Sequence, residues 1–242
     1  SATERSEALG AEMAAAQISI KSVFGHSQGS SPLDKKRAEE DNRTGELTEN
    51  ETKEVSRSMD YEFALREYPR LEGKDVVLRR FTLGDAGDVF EYASDPEVTE
   101  HLTWESHGSI EETISVMKKI FLNNPFMYAI TLPENDKCIG SIDIRIVEKH
   151  NYASFGFCLA KPYWGRGYMT QALELMLELG FKKLDLHRME GYHSPVNPAV
   201  GRVMEKCGMV REGLTRESSL VKGEYRDEIL YGVLAKDWQK RE

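Results

Sequence analysis

Apolar residues from Lys74 to the end of the chain recur at two spacings, and each spacing predicts a different element. Runs rich in β-branched and aromatic residues, such as "DVVLRRF" and "YASFGFCLA", predict strands. Runs with apolar residues three or four positions apart, such as "TQALELMLELGFKKLD", predict helices. The predicted order of elements is β-α-α-β-β-β-α-β-α-β-β. Because this order fits neither an all-parallel sheet nor a simple sandwich, we expect an α+β fold around a mixed sheet.

Polar residues mark the ends of several predicted helices. Thr82 and Ser109 each precede a helical run, and an acidic residue follows each of them three positions later, which is the pattern of a capping box. A later helix is predicted to begin at Asn197, with proline in its first turn, and to end at Gly208. The last strands are predicted to form a hairpin that turns at Lys222 and the glycine after it.

The first 66 residues differ in composition from the rest of the chain. They are rich in Ser, Ala, Glu, Lys, Asn and Thr, and Phe24 is the one aromatic residue before position 61. Such a segment buries too little apolar surface to offset the entropy lost on ordering. We therefore predict a charged, flexible N-terminal extension over 1–66 and a folded domain over 67–242. An arm that docks on a protein partner is the alternative interpretation.

Bulk composition excludes some functional classes. The formal net charge is −9 and the isoelectric point is about 5.3, which argues against a nucleic-acid binder held by overall charge. The three cysteines, Cys138, Cys158 and Cys207, lie far apart without CxxC spacing, so we expect a reducing, cytoplasmic location and no metal site. No apolar run approaches the roughly 20 residues of a membrane span, so no membrane association is predicted.

The loop "WGRGYM" follows a predicted strand and opens a predicted helix. At such a junction Gly165 and Gly167 allow either a plain turn or a cradle in which free backbone N–H groups hold a phosphate. A dinucleotide-binding fingerprint is disfavoured because Thr170 stands where its third glycine would be. A P-loop is absent, since no Gly-Lys-Ser/Thr follows. Taken alone, the loop leaves the turn and the cradle equally open.

Several separate motifs in a fixed order resemble the GCN5-related N-acetyltransferase (GNAT) superfamily, and more closely its RimJ/RimL-type branch of ribosomal-protein N-terminal acetyltransferases. The motifs are "ASDPEVTEHLTW", "GRGYMTQAL", "VMEKCGM" and "VKGEYRDEILYGVL", and the resemblance runs from about Val76 to Lys236. It implies the GNAT fold, which has a mixed, mostly antiparallel central sheet with a splayed parallel strand pair. About four helices would flank this sheet.

The resemblance implies an acetyl-CoA-dependent N-acetyltransferase, an acyltransferase that acts by direct transfer to a primary amine. The acceptor would be a protein N-terminal α-amine or a small amine. Acetyl-CoA would lie in the gap between the splayed strands, against the backbone of Phe157, Cys158 and Leu159. Its pyrophosphate would lie against the glycine loop, and Asn197 would contact the cofactor arm. The implied loop residues are Trp164, Gly165, Arg166, Gly167, Tyr168, Met169 and Thr170. A side-chain N-cap is the alternative interpretation of Asn197.

The sequence departs from the superfamily where general acids are expected. Met204 replaces a common tyrosine on the last helix, and Val200 replaces a serine of the RimJ/RimL branch. Ser154 replaces a glutamate that is common on the strand before the loop. The remaining candidates for proton transfer are Glu190 and His193. Their alternative interpretations are a solvated strand residue and a hydrogen-bonded structural histidine.

The connection between the first two helices carries candidates for binding the acceptor. Glu100, Trp104 and Glu105 would hold a substrate ammonium by charge and by cation–π contact. A core position is the alternative for Trp104. The residues do not choose between a peptide, an amino acid, a polyamine and an antibiotic as the acceptor.

Two further functional classes stay open from the sequence. A GNAT-fold module that binds acyl-CoA or a partner with little or no turnover would explain the missing tyrosine and serine. A regulatory or scaffold protein would instead use the N-terminal arm to bind a protein partner. The sequence also leaves a homodimer open.

Overall fold

A computed structural model describes residues 61–241 of the chain. One eight-stranded sheet organises them, in the order β1-β2-β3-β4-β5-β6-β8-β7. The strands are β1 (Arg70–Glu72), β2 (Val77–Arg79), β3 (Met127–Thr131), β4 (Cys138–Val147), β5 (Tyr152–Leu159), β6 (Arg188–His193), β7 (Val210–Val221) and β8 (Glu224–Leu234).

Seven α-helices lie among the described residues. They are α1 (61–67), α2 (Ala86–Ala93), α3 (Pro96–Thr99), α4 (Ile110–Val116), α5 (Tyr168–Glu178), α6 (Pro198–Lys206) and α7 (Ala235–Trp238). Helices α4 and α5 each continue as one π-helical turn. The sequence predicted about four flanking helices, which correspond to α2, α4, α5 and α6. The short helices α1, α3 and α7, and the three-residue strand β1, were not predicted, because such short segments carry too few residues to show a period.

The pairing of strands confirms the predicted fold class. All neighbouring strands run antiparallel except β5 and β6, which are parallel. A parallel pair needs a long crossover between its strands, and α5 supplies that crossover. The mixed sheet is therefore a consequence of one strand-helix-strand unit inserted in an otherwise antiparallel sheet.

Hydrophobic clusters cover the two faces of the sheet. The first cluster lies under α1, α5 and α6 and includes Ile142, Phe155, Leu173 and Met189. The second lies under α2 and α4 and includes Ala129, Cys138, Val89 and Met117. Because side chains alternate between faces along a strand, the central strands β3, β4 and β5 contribute to both clusters.

Local signals for caps and turns proved correct. Thr82 and Asp85 form the predicted capping box, and Ser109 accepts a hydrogen bond of 3.2 Å from the backbone N–H of Glu112. Lys222 and Gly223, at φ values of 51° and 82°, form the predicted hairpin turn. These signals succeed because each depends on residues close together in the sequence.

The described end of the predicted extension packs against the domain. Tyr61 and Leu65 of α1 are buried in the first cluster, and the carbonyl of Leu65 accepts a hydrogen bond from Arg80. The predictions for residues 1–60, the flexible extension and the docking arm, lie outside the described residues. None of the helices within 61–241 is long and apolar enough to cross a membrane.

Candidate active site

The parallel strands β5 and β6 pair over only three positions and then separate. Tyr152, Ala153 and Ser154 lie opposite Arg188, Met189 and Glu190, in that order. Beyond this point β5 continues for five residues beside β4 alone, while β6 continues beside β8. A gap therefore opens between two neighbouring strands, as the resemblance predicted for residues 153–160 and 188–194.

The backbone of β5 turns alternate peptide groups toward this gap. The N–H of Ala160 donates to the carbonyl of Ile139 at 2.8 Å, next to the paired residues Gly140 and Leu159. By the alternation of an antiparallel ladder, the N–H of Cys158 also points to β4, whereas those of Phe157 and Leu159 point to the gap. Of the three residues predicted to contact the pantetheine, Phe157 and Leu159 therefore turn their backbone N–H groups to the gap. Cys158 does not.

The glycine loop leads from the end of β5 to the start of α5. Gly165 and Gly167 have φ values of 73° and 85°, a left-handed conformation that glycine adopts without steric cost. A Cβ on either residue would meet no atom within 4 Å, so close packing is not the reason for glycine here. The two glycines set the path of the backbone and leave its surface open.

Helix α5 begins at this loop without a side-chain cap. Gly167 is its N-cap residue, and the first helical hydrogen bond runs from the N–H of Gln171 to the carbonyl of Gly167 at 3.1 Å. The N–H groups of Tyr168, Met169 and Thr170 precede that bond and point along the helix axis toward the loop. With the helix dipole they favour an anion at this end of the gap.

The other predicted loop residues have distinct roles in the structure. The indole N–H of Trp164 donates to the carbonyl of Leu159 at 2.6 Å and ties the loop to the end of β5. Arg166 is exposed, and its guanidinium lies 5.7 Å from the ring centre of Tyr163. The side chain of Met169 is buried in the first cluster, so it does not narrow the surface of the loop.

Asn197 is the N-cap residue of α6, but its side chain makes no capping hydrogen bond. Its backbone N–H donates to the carbonyl of Ser194 at 2.8 Å. The interpretation of Asn197 as a side-chain N-cap is therefore wrong, and its amide is available to a ligand.

Glu190 and His193 lie on opposite faces of β6. Residues three apart in a strand point to opposite sides, so the two predicted proton-transfer candidates do not share a site. Glu190 shares its face with Ser154 and Arg145, which lie in the same row across the sheet. We call this side the acceptor face. His193 shares the opposite face with Met189, under α6.

A chain of hydrogen bonds holds Glu190 in place. It is 9% exposed, so it is not a solvated strand residue. One carboxylate oxygen accepts from Arg188 Nε at 2.9 Å, and the other accepts from Tyr192 Oη at 2.7 Å. Arg188 in turn donates twice to Glu212 on β7, at 2.7 and 2.6 Å. Both oxygens of this buried carboxylate therefore have hydrogen-bond partners, as buried polar groups require.

His193 fits its structural interpretation. Its Nδ1–H donates to the carbonyl of Ser194 at 2.8 Å, and its ring lies 5.6 Å from that of Tyr231. A Cβ on Gly201 would lie 2.7 Å from Nε2, so α6 covers this edge of the ring closely. The imidazole therefore packs between β6 and α6, away from the acceptor face.

A second carboxylate, half-buried, lies on the acceptor face, and the sequence did not suggest it. Asp143 of β4 is opposite Gly156, and Arg145 Nε lies 2.7 Å from its carboxylate. A Cβ on Gly156 would meet the Arg145 guanidinium at 2.3 Å, so glycine leaves room for this pair. Burial raises the pKa of Asp143 in spite of Arg145. Burial also raises the pKa of Glu228, which lies on the same face of β8.

The predicted acceptor segment is tied to the structure at two points. Lys161, just after β5, pairs with Glu97 of α3 at 2.5 Å. Lys222, at the tip of the β7–β8 hairpin, donates to the carbonyl of Thr99 at 3.0 Å and lies 3.5 Å from Glu105. The segment that carries Glu100, Trp104 and Glu105 is thus held between the loop after β5 and the hairpin tip.

Its three candidate side chains differ in exposure. Glu100 and Glu105 are exposed, whereas Trp104 is half-buried against the second cluster. The ring of Trp104 also lies 5.3 Å from that of His107. Part of the Trp104 ring therefore packs as a core residue would, and the rest of the ring is exposed.

Chemistry at the cysteines is not supported. Cys138 and Cys207 are buried, and burial raises the pKa of the Cys158 thiol to about 11. A thiol with such a pKa stays protonated at neutral pH and is a poor nucleophile. Within residues 61–241, no group of three or more His, Cys, Asp or Glu side chains is arranged to hold a metal ion.

The acetyltransferase (GNAT) domain family matches residues 75–210, more than half of the chain. The chain belongs to the GNAT acetyltransferase family. The uncharacterized N-acetyltransferase YnaD of Bacillus subtilis (strain 168) is 31% identical over 166 residues, covering 68% of this chain and 96% of that protein. A crystal structure of a GNAT-family acetyltransferase from Bacillus anthracis aligns with a TM-score of 0.63 at 26% identity, covering 69% of this chain and 99% of that one.

The branch and the enzyme class agree with these relatives. The ribosomal protein uS5-alanine N-acetyltransferase of Escherichia coli (strain K12) is 23% identical over 115 residues, covering 47% of this chain and 59% of that protein. The predicted superfamily, and the predicted class of acetyl-CoA-dependent N-acetyltransferases, are confirmed.

In this acetyltransferase the helix α6 brings no hydroxyl group to the gap. Met204 is fully buried, and its sulfur would lie 2.9 Å from a Cβ on Gly191. Val200 packs against the first cluster. The sequence named two candidates for proton transfer, Glu190 and His193. Of these two, Glu190 lies at the start of the gap on the acceptor face.

Proposed function

We propose that this acetyltransferase transfers the acetyl group of acetyl-CoA directly to a primary amine, with the cofactor in the gap between β5 and β6. The observation that carries the proposal is the end of pairing at Ser154 and Glu190, beside a glycine loop that opens α5. The backbone of Phe157 and Leu159 would pair with the pantetheine amides. The N–H groups at the start of α5 would bind the pyrophosphate.

The cofactor arm and the thioester would be positioned by residues at the two ends of the gap. The free amide of Asn197 would contact the arm, since no capping bond occupies it. A thioester at the closed end of the gap would lie beside Glu190. There an N–H of β5 that faces the gap would stabilise the oxyanion of the tetrahedral intermediate.

Glu190 would accept the proton that the attacking amine loses. Acetyl transfer requires a neutral amine, and a carboxylate on the acceptor face both attracts an ammonium and takes its proton. Proximity in the gap would supply much of the remaining acceleration. His193 has no part in this proposal, because it lies on the opposite face of β6.

The charges of the acceptor face favour a cationic acceptor. Five carboxylates and three guanidinium groups lie on this face or pair with residues there: Asp143, Glu190, Glu212, Glu224, Glu228, Arg145, Arg188 and Arg226. The excess of negative charge favours a substrate that carries a further positive charge besides the reacting amine. A peptide N-terminus followed by basic residues and a polyamine both satisfy this requirement.

A thiol-release assay tests the proposal. The wild-type protein, acetyl-CoA and either spermidine or peptides with free N-termini and basic residues should release CoA steadily. The same peptide with an acetylated N-terminus should release none above the background of hydrolysis. We expect Glu190→Gln to lower kcat about 10²-fold or more, the usual loss of a general base, and His193→Gln to leave it nearly unchanged. Acetyl-CoA binding without release for any amine would instead support a binding module.

A further inference from the structure

Acetyl transfer ends with a thiolate that needs a proton, and α6 does not provide a donor. Met204 and Val200 occupy the positions where the resemblance leads one to expect a tyrosine or a serine, and both pack in the first cluster. The proton for the thiolate must then come from another element of the gap or from solvent. The acceptor face of β6 carries one.

Tyr192 lies on the acceptor face, two residues beyond Glu190. It comes after the last pair between β5 and β6, so it borders the gap rather than the paired part of the sheet. Its hydroxyl donates to Glu190 Oε1 at 2.7 Å. At 39% exposure part of the side chain is open to solvent.

Tyr192 keeps its proton at neutral pH. Burial, followed by the hydrogen bond to Glu190, raises the pKa of its phenol well above 10. The position of Glu190 is itself fixed, because Arg188 holds its other oxygen and Glu212 holds Arg188. The hydroxyl and the carboxylate thus form a rigid pair at the start of the gap.

We infer that Tyr192 is the general acid of this acetyltransferase, giving its O–H proton to the sulfur of CoA and recovering a proton through Glu190. This inference rests on the proposed acetyl transfer. It assigns a role that neither the resemblance nor the family match assigns to this position.

The step balances in protons and bonds. The amine attacks the thioester carbon and forms a C–N bond, and the cationic nitrogen then gives one proton to the Glu190 carboxylate. As the C–S bond breaks, the electron pair goes to sulfur, which takes the proton of Tyr192. Protonated Glu190 returns its proton to the phenolate oxygen across the 2.7 Å hydrogen bond. One amine proton ends on the thiol, and the enzyme is regenerated without another reactant.

The hydroxyl groups that β4 and β5 bring to the acceptor face are less suitable. Tyr152 lies opposite Arg188, two positions before the gap opens, and stacks on His150. Ser154 is almost fully buried at the last pair, and Ser141 is engaged with the thiol of Cys158 at 3.3 Å. Of these hydroxyls, that of Tyr192 alone combines contact with Glu190, position beyond the last pair and exposure.

The test compares Tyr192→Phe with Tyr152→Phe, which removes a hydroxyl from the same face one strand away. With acetyl-CoA and an amine that wild type acetylates, we expect Tyr192→Phe to lower kcat by about 10²-fold, as for a lost general acid. The affinity for acetyl-CoA should not change. Tyr152→Phe should retain wild-type kcat.

A second acetyl donor distinguishes acid catalysis by the Tyr192 hydroxyl from a purely structural role of that hydroxyl. In the selenoester analogue of acetyl-CoA the cofactor contacts are kept, but the selenolate leaves without a proton. The defect of Tyr192→Phe should largely disappear with this donor. A purely structural role of the hydroxyl would give the same defect with both donors, and that result would overturn the inference.

The double variant gives an independent check. If Glu190 and Tyr192 act as one relay, Glu190→Gln combined with Tyr192→Phe should be no slower than the slower single variant. Wild-type kcat for Tyr192→Phe in an active enzyme would overturn the role of Tyr192 alone. Failure of the wild-type protein to acetylate any amine would overturn the proposed function as well.

Discussion

Ser154 of β5 lies opposite Glu190 of β6, and this is the last pair that the two parallel strands make. The separation beyond it provides space for a cofactor, and free backbone groups on β5 face that space. The same pair places a carboxylate at the closed end of the gap. In the proposed function, binding of the acetyl donor and removal of the amine proton would both depend on this one local feature of the sheet.

Gly167→Val should weaken the binding of acetyl-CoA about tenfold or more. Valine disfavours a φ value of 85°, and the left-handed conformation costs about 1–2 kcal/mol for a residue with a side chain. The backbone would therefore leave the path that presents the first N–H groups of α5. Calorimetric titration of each variant with acetyl-CoA measures the effect.

Gly213→Val is the matched control for this change. Gly213 lies in β7, has an ordinary φ and has no atom within 4 Å of an added Cβ. Its valine variant should bind acetyl-CoA as wild type does. Equal affinity of a folded Gly167→Val variant would show that the loop does not hold the pyrophosphate.

Asn197→Ala should reduce acetyl-CoA affinity with little loss of stability, because the side chain makes no capping bond. Ser109→Ala should do the opposite. It removes a true cap at the start of α4, which costs about 0.5–2 kcal/mol, and it leaves the gap intact. Denaturant unfolding and cofactor titration of both variants provide the comparison. A large loss of stability in Asn197→Ala alone would indicate a capping role.

Lys222→Met should raise the KM for the acceptor and leave the affinity for acetyl-CoA unchanged. The ammonium of Lys222 joins the hairpin tip to Thr99, next to the predicted acceptor residues. Arg211→Met is the control, because Arg211 lies in the same hairpin but opposite Tyr231, on the other face of the sheet. An equal KM for the acceptor in the two variants would show that the hairpin tip has no part in acceptor binding.

His107 should make the stability depend on pH near neutrality. Burial lowers the pKa of His107, whereas the unfolded residue titrates near 6.5. Below that pH the unfolded chain binds a proton that the folded protein excludes, so the free energy of unfolding falls as pH falls. His107→Gln should reduce this slope between about pH 6.5 and 5.5. An unchanged slope in chemical unfolding experiments would contradict the assignment.

The fold could be predicted where its signals are local. Helix caps at Thr82 and Ser109, the turn at Lys222 and the strand-loop-helix junction at Gly165 all depend on neighbouring residues. Helix α3 also has a local signal, because Asp95 accepts from the N–H of Glu97 and Pro96 occupies the first turn, but its four residues are too few to show a helical period. The three-residue strand β1 is likewise too short to show an alternation.

The candidate site was predicted in part for the same reason. Alternation along β6 is a local signal that puts Glu190 and His193 on opposite faces and Tyr192 with Glu190, but the sequence does not show which face carries the paired charges, so both Glu190 and His193 stayed candidates and Tyr192 was missed. Recognising Asp143 as part of the site requires the register between β4 and β5, which the sequence does not show. The contact between Lys222 and Thr99 joins residues 123 positions apart and is likewise a tertiary feature.

Amide hydrogen exchange at β5 tests the central claim most directly. The N–H of Phe157 faces the gap, whereas those of Gly156 and Cys158 face β4. Saturation with acetyl-CoA should slow exchange at Phe157 strongly, because the pantetheine pairs with this group, and should change little at its two neighbours. Unchanged exchange at Phe157 with the cofactor bound would contradict a binding site between β5 and β6.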